Sequence, residues 1–251
     1  MKSHSKARAM PIKEKTLLLF DIDGTILRMK DYRSYHIFSA LFRRRFSVDL
    51  RPDDLPSFSG KTDLQILSET SKLCGIDFEL IRNDIDSIWD ELLADFELHC
   101  HTGNMVLMPG VVQLLAALAT DDTYQLALVT GNFAANAYLK LSVFGLGALF
   151  PFGAFGSDSA DRNDLPGLAT LRGNQLYGDE QFRLENSIII GDSHLDVACA
   201  RSNGIPCLAV ATGNHSAEEL SRLGADCVLP SFSDDRAAID EIRKLRGSLL
   251  N

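Results

Sequence analysis

The sequence predicts an α/β fold: a parallel sheet core with helices on both faces and a small all-helical cap inserted after the first strand. Three observations predict it. From Pro109 onward, short apolar runs of strand length alternate with helix-period segments. Several of the apolar runs end in polar or acidic residues, as strands do when they deliver chemistry to one sheet edge. Between the first strand and that alternation lies residues 28–104, which shows helical recurrence only. It is far longer than the ~10–12 residues a crossover needs.

Residues 1–15 are polar and basic without periodicity, and read as a flexible tail. The first strand, LLLF, ends at Phe20. Asp21 and Asp23 follow, and Gly24-Thr25 turns the chain away. Asp31 to Phe46 places Tyr35, Phe38, Leu41, Phe42 and Phe46 at helical steps. A Pro-rich link, RPDDLPSFSG, leads into GKTDLQILSETSKLCG, a helix with Leu64, Ile66, Leu67 and Leu73 that stops at Gly75. Asp84 to Leu98 repeats the pattern with Ile85, Ile88, Leu92 and Phe96. The core then resumes. VVQLLAALA is a helix, YQLALV a strand ending on Thr130-Gly131-Asn132, and FAANAYLKLSVFG the next helix. SIIIGDSHLD is a further strand, ending at Gly191 with Asp192 and Asp196 beyond it. CLAVATG and DCVLP are two short strands separated by the helical SAEELSRLG, and AAIDEIRKLRGSLL closes the chain. The expected boundaries are 16–27 with 105–251 for the core and 28–104 for the cap. The alternation of strand and helix implies a parallel, doubly covered sheet with right-handed crossovers.

At 251 residues the chain is long enough for one large domain or a large and a small one. A formal charge of −9 argues against a nucleic-acid surface, which needs clustered Lys and Arg; the one dense basic run, Arg43-Arg44-Arg45, sits in a helix and reads as a solvated face or a local anion contact. Five cysteines without a C-x-x-C pair, and no N-terminal apolar segment, fit reduced thiols in a cytoplasmic protein. No apolar run approaches the ~20 residues of a membrane span. His99, Cys100 and His101 lack further matched ligands and read as a helix end.

The acids at the strand ends form a coherent set. Crowded carboxylates repel one another and need a cation, and an all-oxygen site suits Mg²⁺. A metal-held carboxylate can attack the phosphorus of a bound ester, dividing hydrolysis into two displacements through an aspartyl-phosphate. A turn starting at Asp21 brings Asp23 around the same substrate, where it can protonate the leaving oxygen and afterwards activate water. Thr130 and the N–H groups near Gly131, at a helix start, can supply neutral donors to the phosphoryl oxygens. Alone, Thr130-Gly131-Asn132 is equally an ordinary strand-to-helix turn.

These segments resemble those of the haloacid dehalogenase-like phosphohydrolases, especially phosphoglycolate phosphatase-like members with a helical cap. DIDGTIL at 21–27 is similar to their first motif, LVTGN at 128–132 to their second and GDSHLD at 191–196 to their acidic fourth. The resemblance spans Leu17 to about Pro230. It implies a Rossmann-like core, with Asp21 as nucleophile, Asp23 as general acid/base and Mg²⁺ on Asp21, the Asp23 main-chain carbonyl and Asp192. It further implies that Thr130 binds phosphate and that Asp196 orients the metal site or the basic residue. Gly24, Gly131, Asn132 and Lys61 join Thr130 and Arg162 as expected substrate contacts.

One departure stands out. The family places a Lys between its second and fourth motifs, whereas here no Lys occurs between Lys140 and Lys244. Lys140 follows the second motif on its helix and is expected to face solvent. Arg162 stands where the Lys is expected and can grip phosphate through two parallel N–H bonds; the competing reading is a surface pair with Asp161 or Asp164. Lys61, in Gly60-Lys61-Thr62-Asp63, either reads an anionic substrate tail or belongs to a helix-capping pattern. His194 reads as a loop residue. The expectation is a Mg²⁺-dependent phosphatase of small phosphorylated metabolites, phosphoglycolate-like or sugar phosphates. A phosphomutase and a non-catalytic phosphate-sensing or phospho-accepting module are the rivals, and the oligomeric state is left open.

Overall fold

The structure, a computed structural model, describes residues 15–31, 33–178 and 180–249. The expected tail, apart from Lys15, lies outside them. In chain order the elements are β1 (Thr16–Phe20), β2 (Leu27–Met29), α1 (Arg33–Phe46), α2 (Asp63–Leu73), α3 (Phe78–Arg82) and α4 (Ile85–His99). Then come β3 (Met105–Leu107), α5 (Val111–Ala119), β4 (Tyr124–Thr130), α6 (Ala134–Ser142), β5 (Gly153–Phe155) and α7 (Leu165–Tyr177). The last third holds β6 (Ser187–Gly191), α8 (His194–Asn203), β7 (Cys207–Val210), α9 (Ala217–Arg222), β8 (Cys227–Leu229) and α10 (Asp235–Leu249).

Six strands form one sheet in the order β5-β4-β1-β6-β7-β8, with every pairing parallel. β1 is central, with Leu18 opposite Leu126 on one side and Ile188 on the other. Because its neighbours β4 and β6 are reached by chain running in opposite directions from it, the crevice at its carboxyl end is the topological switch point. All five residues of β1 are buried, which is why the run is continuously apolar rather than alternating. The two-residue side-chain period divides the strands between two clusters. Leu18, Phe20, Leu128 and Ile190 pack on one face and Leu17, Leu19, Val129 and Ile189 on the other. Each such buried side chain contributes about 1.5–3 kcal/mol. The first cluster runs on without a break into Phe38, Leu67, Ile88, Leu92 and Phe96 of the inserted helices.

Two expectations need correcting. The stretch 28–104 is not wholly helical, because β2 pairs antiparallel with β3, Leu27 opposite Leu107 and Met29 opposite Met105. The sheet also has a sixth strand, β5, in FPFGAFG. Three-residue strands are too short to show a period. Among the described residues no helix is long and apolar enough to cross a membrane, and none of the five cysteines is in a disulfide. The basic run of α1 finds acidic partners: Arg44 pairs with Glu91 and Asp95, and Arg45 with Asp84 and Glu91.

The loop before α2 is tied to the core. Thr62 caps α2 by accepting the Gln65 N–H and donates its hydroxyl to the Ala160 carbonyl at 3.0 Å. The Asp63 N–H donates to the Gly131 carbonyl at 2.7 Å and the Leu64 N–H to that of Gly156 at 3.2 Å. A Cβ at position 131 would lie 1.9 Å from the Lys61 carbonyl oxygen, so this approach requires glycine.

Candidate active site

Asp21 follows β1 directly, its N–H donating to the Ile190 carbonyl at 2.9 Å, so the sheet ladder itself aims its carboxylate into the crevice. Asp192 follows β6 and Asp196 lies in the first turn of α8. Oxygens of Asp21, Asp192 and Asp196 lie within 4.8 Å of one another, and all three residues are buried. Among the described residues no other set of three acids, histidines or cysteines is so placed. Burial, with the added repulsion of Asp196 and Asp23, pushes the Asp21 carboxyl up to about 7 against the lowering pull of Arg162. Asp192 is pushed well above the usual carboxylate range by burial and by the charges of Asp21 and Asp196.

The three acids differ in what already holds them. Asp196 accepts from Arg162 on one oxygen, and from the Ser193 N–H and hydroxyl on the other. Asp21 uses one oxygen for Arg162 and Asp192 one for the Thr25 hydroxyl at 3.3 Å. The second oxygens of Asp21 and Asp192 accept nothing from the described residues. Two carboxylate oxygens without donors, on buried residues that line the cavity, are the donor set that a hard cation needs, so these residues fit the expected metal, whereas Asp196 is saturated. Gly24 and Gly213 make room for Asp192, since a Cβ on either would meet its carboxylate at 2.4 or 1.6 Å.

Arg162 is 4% exposed. It donates to Asp21 at 3.0 Å, Asp196 at 2.5 Å, and the carbonyls of Gly60 at 3.0 Å and Val129 at 3.2 Å. The surface-pair alternative is not realised, since Asp161 accepts the Asn163 N–H and Asp164 the Ser159 hydroxyl. Burial works against the guanidinium charge, but Asp196 and Asp21 outweigh it and hold Arg162 above the usual arginine range.

Lys140 overturns the expectation that it faces solvent. It is 2% exposed, its ammonium 2.8 and 2.6 Å from the two Asp23 oxygens and 2.7 Å from Asn132 Oδ1. The Phe96 ring of α4 covers it at 5.6 Å. Asn132 completes the clamp by donating its amide to Asp23 at 2.7 Å and to the Thr130 hydroxyl oxygen at 2.9 Å. The signal was present: Phe133, Asn136, Ala137, Lys140 and Leu141 fall on one helical face at three- and four-residue steps, and four of the five sit on α6 itself. The general habit of placing Lys outside overrode it.

Of the expected residues, Asp21, Asp23, Gly24, Lys61, Gly131, Asn132, Arg162 and Asp192 line one cavity of about 540 Å³. Thr130 and Asp196 sit behind that lining, buried at 0% and 1% exposure. The Asn132 side chain holds Asp23, while its N–H donates to the Thr130 hydroxyl oxygen at 3.4 Å and its carbonyl accepts the Gly156 N–H at 2.8 Å. Lys61 is paired with Glu69, so its charge is already answered. His194 opens α8, with its ring 5.0 Å from that of His215.

Fold and site together define a class of α/β protein whose buried acids gather where the first strand ends. The family model of haloacid dehalogenase-like hydrolases matches residues 18–210, and the chain belongs to that family. A phosphoglycolate phosphatase of Photorhabdus laumondii is 26% identical over 139 residues, 55% of this chain and 57% of that protein. The chain thus spans less than two thirds of the length of the curated relatives it matches. Among solved structures, a hydrolase from Pseudomonas syringae shares the fold with a TM-score of 0.68 at 20% identity, covering 91% of this chain and 99% of its own. The β-phosphoglucomutase of Clostridium difficile has a TM-score of 0.66 at 18% identity, covering 94% and 99%.

Proposed function

We propose that this protein is a Mg²⁺-dependent phosphatase of small phosphate monoesters, acting through an aspartyl-phosphate on Asp21 in the cytoplasm. The observation that carries the reading is the arrangement around Asp21: an oxygen held by Arg162, a second oxygen without a donor, and Asp192 beside it with another such oxygen. Asp21, the Asp23 main-chain carbonyl and Asp192 would hold Mg²⁺, which when bound neutralises charge on the acids and on the substrate phosphate. Residues 28–104 act as a cap over a core of 16–27 and 105–251.

The chain's own groups then divide the work. Asp21 attacks phosphorus in line, its orientation fixed by Arg162 and by the ladder bond of its N–H. The Gly131 N–H stands in the turn that leads into α6, where the helix field favours phosphoryl oxygens, with the Thr130 hydroxyl directly behind it at the end of β4. Asp23, clamped by Lys140 and Asn132, delivers a proton to the leaving oxygen and later takes one from the water that attacks the aspartyl-phosphate. Arg162, whose two terminal nitrogens donate to Gly60, Asp21, Val129 and Asp196, keeps Asp21 and Asp196 together and adds positive charge beneath the phosphate.

Phosphate release from p-nitrophenyl phosphate and a panel of phosphorylated metabolites tests this, with Mg²⁺, with EDTA, and in Asp21→Asn. Turnover is expected in the first condition and a loss of three or more orders of magnitude in the other two. Equal rates in all three would overturn the mechanism. Turnover that needs a bisphosphate activator and releases little free phosphate would move the assignment to a phosphomutase.

A further inference from the structure

The site cavity has a second side that phosphoryl transfer does not use. Its volume of about 540 Å³ is in the range of pockets for drug-sized ligands, well beyond what a phosphoryl group on a two-carbon acid needs. Arg28, Lys30 and Arg33 line it, contributed by β2, the residue after it and the start of α1 rather than by the edge of the six-stranded sheet. The two cations nearest the chemistry, Arg162 and Lys140, are held in ion pairs with Asp21 and Asp196 and with Asp23, and Lys61 is paired with Glu69.

The charges of these three are not answered in the same way. The Arg28 side chain has no hydrogen bond or ion pair with any described residue. The Lys30 ammonium donates only to the Gly103 carbonyl, at 3.2 Å. The Arg33 side chain makes no hydrogen bond, and its Nε is buried without an acceptor. Its one opposite charge, Asp31, stands 3.9 Å away on a side chain that is 77% exposed. A buried guanidinium N–H without an acceptor is unfavourable, and an anion entering from the cavity would relieve it. Three cations on one cavity wall face a single acid there, the exposed Asp31, and leave a local excess of positive charge in a chain of net charge −9. Tyr35, Phe38 and Phe58 line the same cavity, with Tyr35 and Phe58 stacked at 4.0 Å, and supply apolar surface for a carbon body.

We propose that Arg28, Lys30 and Arg33 form a second anion subsite. The substrate is then a phosphate monoester with a body longer than two carbons that carries another anionic group, a carboxylate or a second phosphate, at its far end. The proposal rests on the phosphatase reading for turnover, but the subsite itself can be read by binding.

Two matched pairs of probes separate the sources of the anion: glucose 6-phosphate against 6-phosphogluconate for a carboxylate, and fructose 6-phosphate against fructose 1,6-bisphosphate for a phosphate. Calorimetric binding to Asp21→Asn is expected to favour the doubly anionic member of at least one pair about tenfold or more. In wild type the same preference is expected in kcat/KM, expressed through KM. Arg33→Ala and, separately, Arg28→Ala should move the preference toward one, with Arg33→Lys keeping part of it. A ratio taken within one variant is insensitive to the fraction that folds. Equal affinities within both pairs, or no binding of any of the four, overturns the subsite. Loss of all p-nitrophenyl phosphate turnover in wild type overturns the phosphatase reading instead, and the binding ratios still decide the subsite.

Discussion

At the scale of single residues, the site depends on two buried cations that do different work. Arg162 separates Asp21 from Asp196, and Arg162→Ala would leave two buried carboxylates facing each other. Removing one partner of a buried pair costs about 3–5 kcal/mol, so a lower Tm in thermal melts should accompany a loss of turnover by orders of magnitude. Arg162→Lys keeps the charge but cannot reach Asp21, Asp196, Gly60 and Val129 together, and should recover stability better than rate. An unchanged rate in Arg162→Ala would contradict the assignment. Lys140 is only half of a partly exposed pair, since the Asp23 side chain is 40% exposed, and Lys140→Met should alter stability by no more than about 1–2 kcal/mol. Its effect should fall on kcat, reduced about tenfold or more with KM little changed, because the clamp positions Asp23 rather than holding substrate. Steady-state kinetics with Lys140→Arg as the partial rescue checks this. Arg162 was legible in the sequence because its place before a helix matched a known order of motifs. Lys140 was not, since a lone cation in an amphipathic helix has its ordinary place on the wet side.

At the scale of elements, the loop before α2 and the start of α6 are joined by Asp63. Its carboxylate accepts the Phe133 N–H at 2.7 Å, and burial pushes its carboxyl up to about 7 despite that bond and the charge of Lys140. The sign of the linkage follows. Below about pH 4 Asp63 is protonated both folded and unfolded. Between about 4 and 7 the unfolded chain releases the proton and the folded chain keeps it, so stability falls as pH rises. Above 7 the full cost is present, as much as roughly 4 kcal/mol if nothing relaxes. Asp63→Asn retains an oxygen that can accept from Phe133 and removes the ionisation. Thermal melts should therefore show the variant gaining on wild type between pH 5 and pH 8; a constant difference across that range would refute the account. Helices such as α4 were readable because they carry a full apolar stripe, there Ile88, Leu92 and Phe96. The three-residue strands β2, β3 and β5 were not, because pairing with a distant partner rather than local pattern defines them.

At the scale of the whole molecule, two separated stretches, β1 and the segment from β6 into α8, meet only when the sheet is complete, so a cation shared by Asp21 and Asp192 binds the folded chain and not the unfolded one. The sequence made the sheet legible because its strands end in polar groups at one edge, and the order of those ends carried the fold class. It could not show which acid oxygens stay open, since that depends on Arg162, Thr25 and Ser193 reaching their partners through space. Linkage turns this into a measurement. Mg²⁺ at about one hundred times its Kd should stabilise the fold by about 2.7 kcal/mol, seen as a higher Tm that EDTA reverses. Asp192→Asn should abolish the response while leaving Asp196 held by Arg162 and Ser193. Protons compete for the same oxygens: with Asp21 raised to about 7 and Asp192 raised by burial, the Mg²⁺-dependent rise in Tm should be large at pH 8 and shrink as pH falls through 7 toward 6. A Tm response to Mg²⁺ that is the same at both pH values, or that survives Asp192→Asn, would place the ion elsewhere than between these two carboxylates.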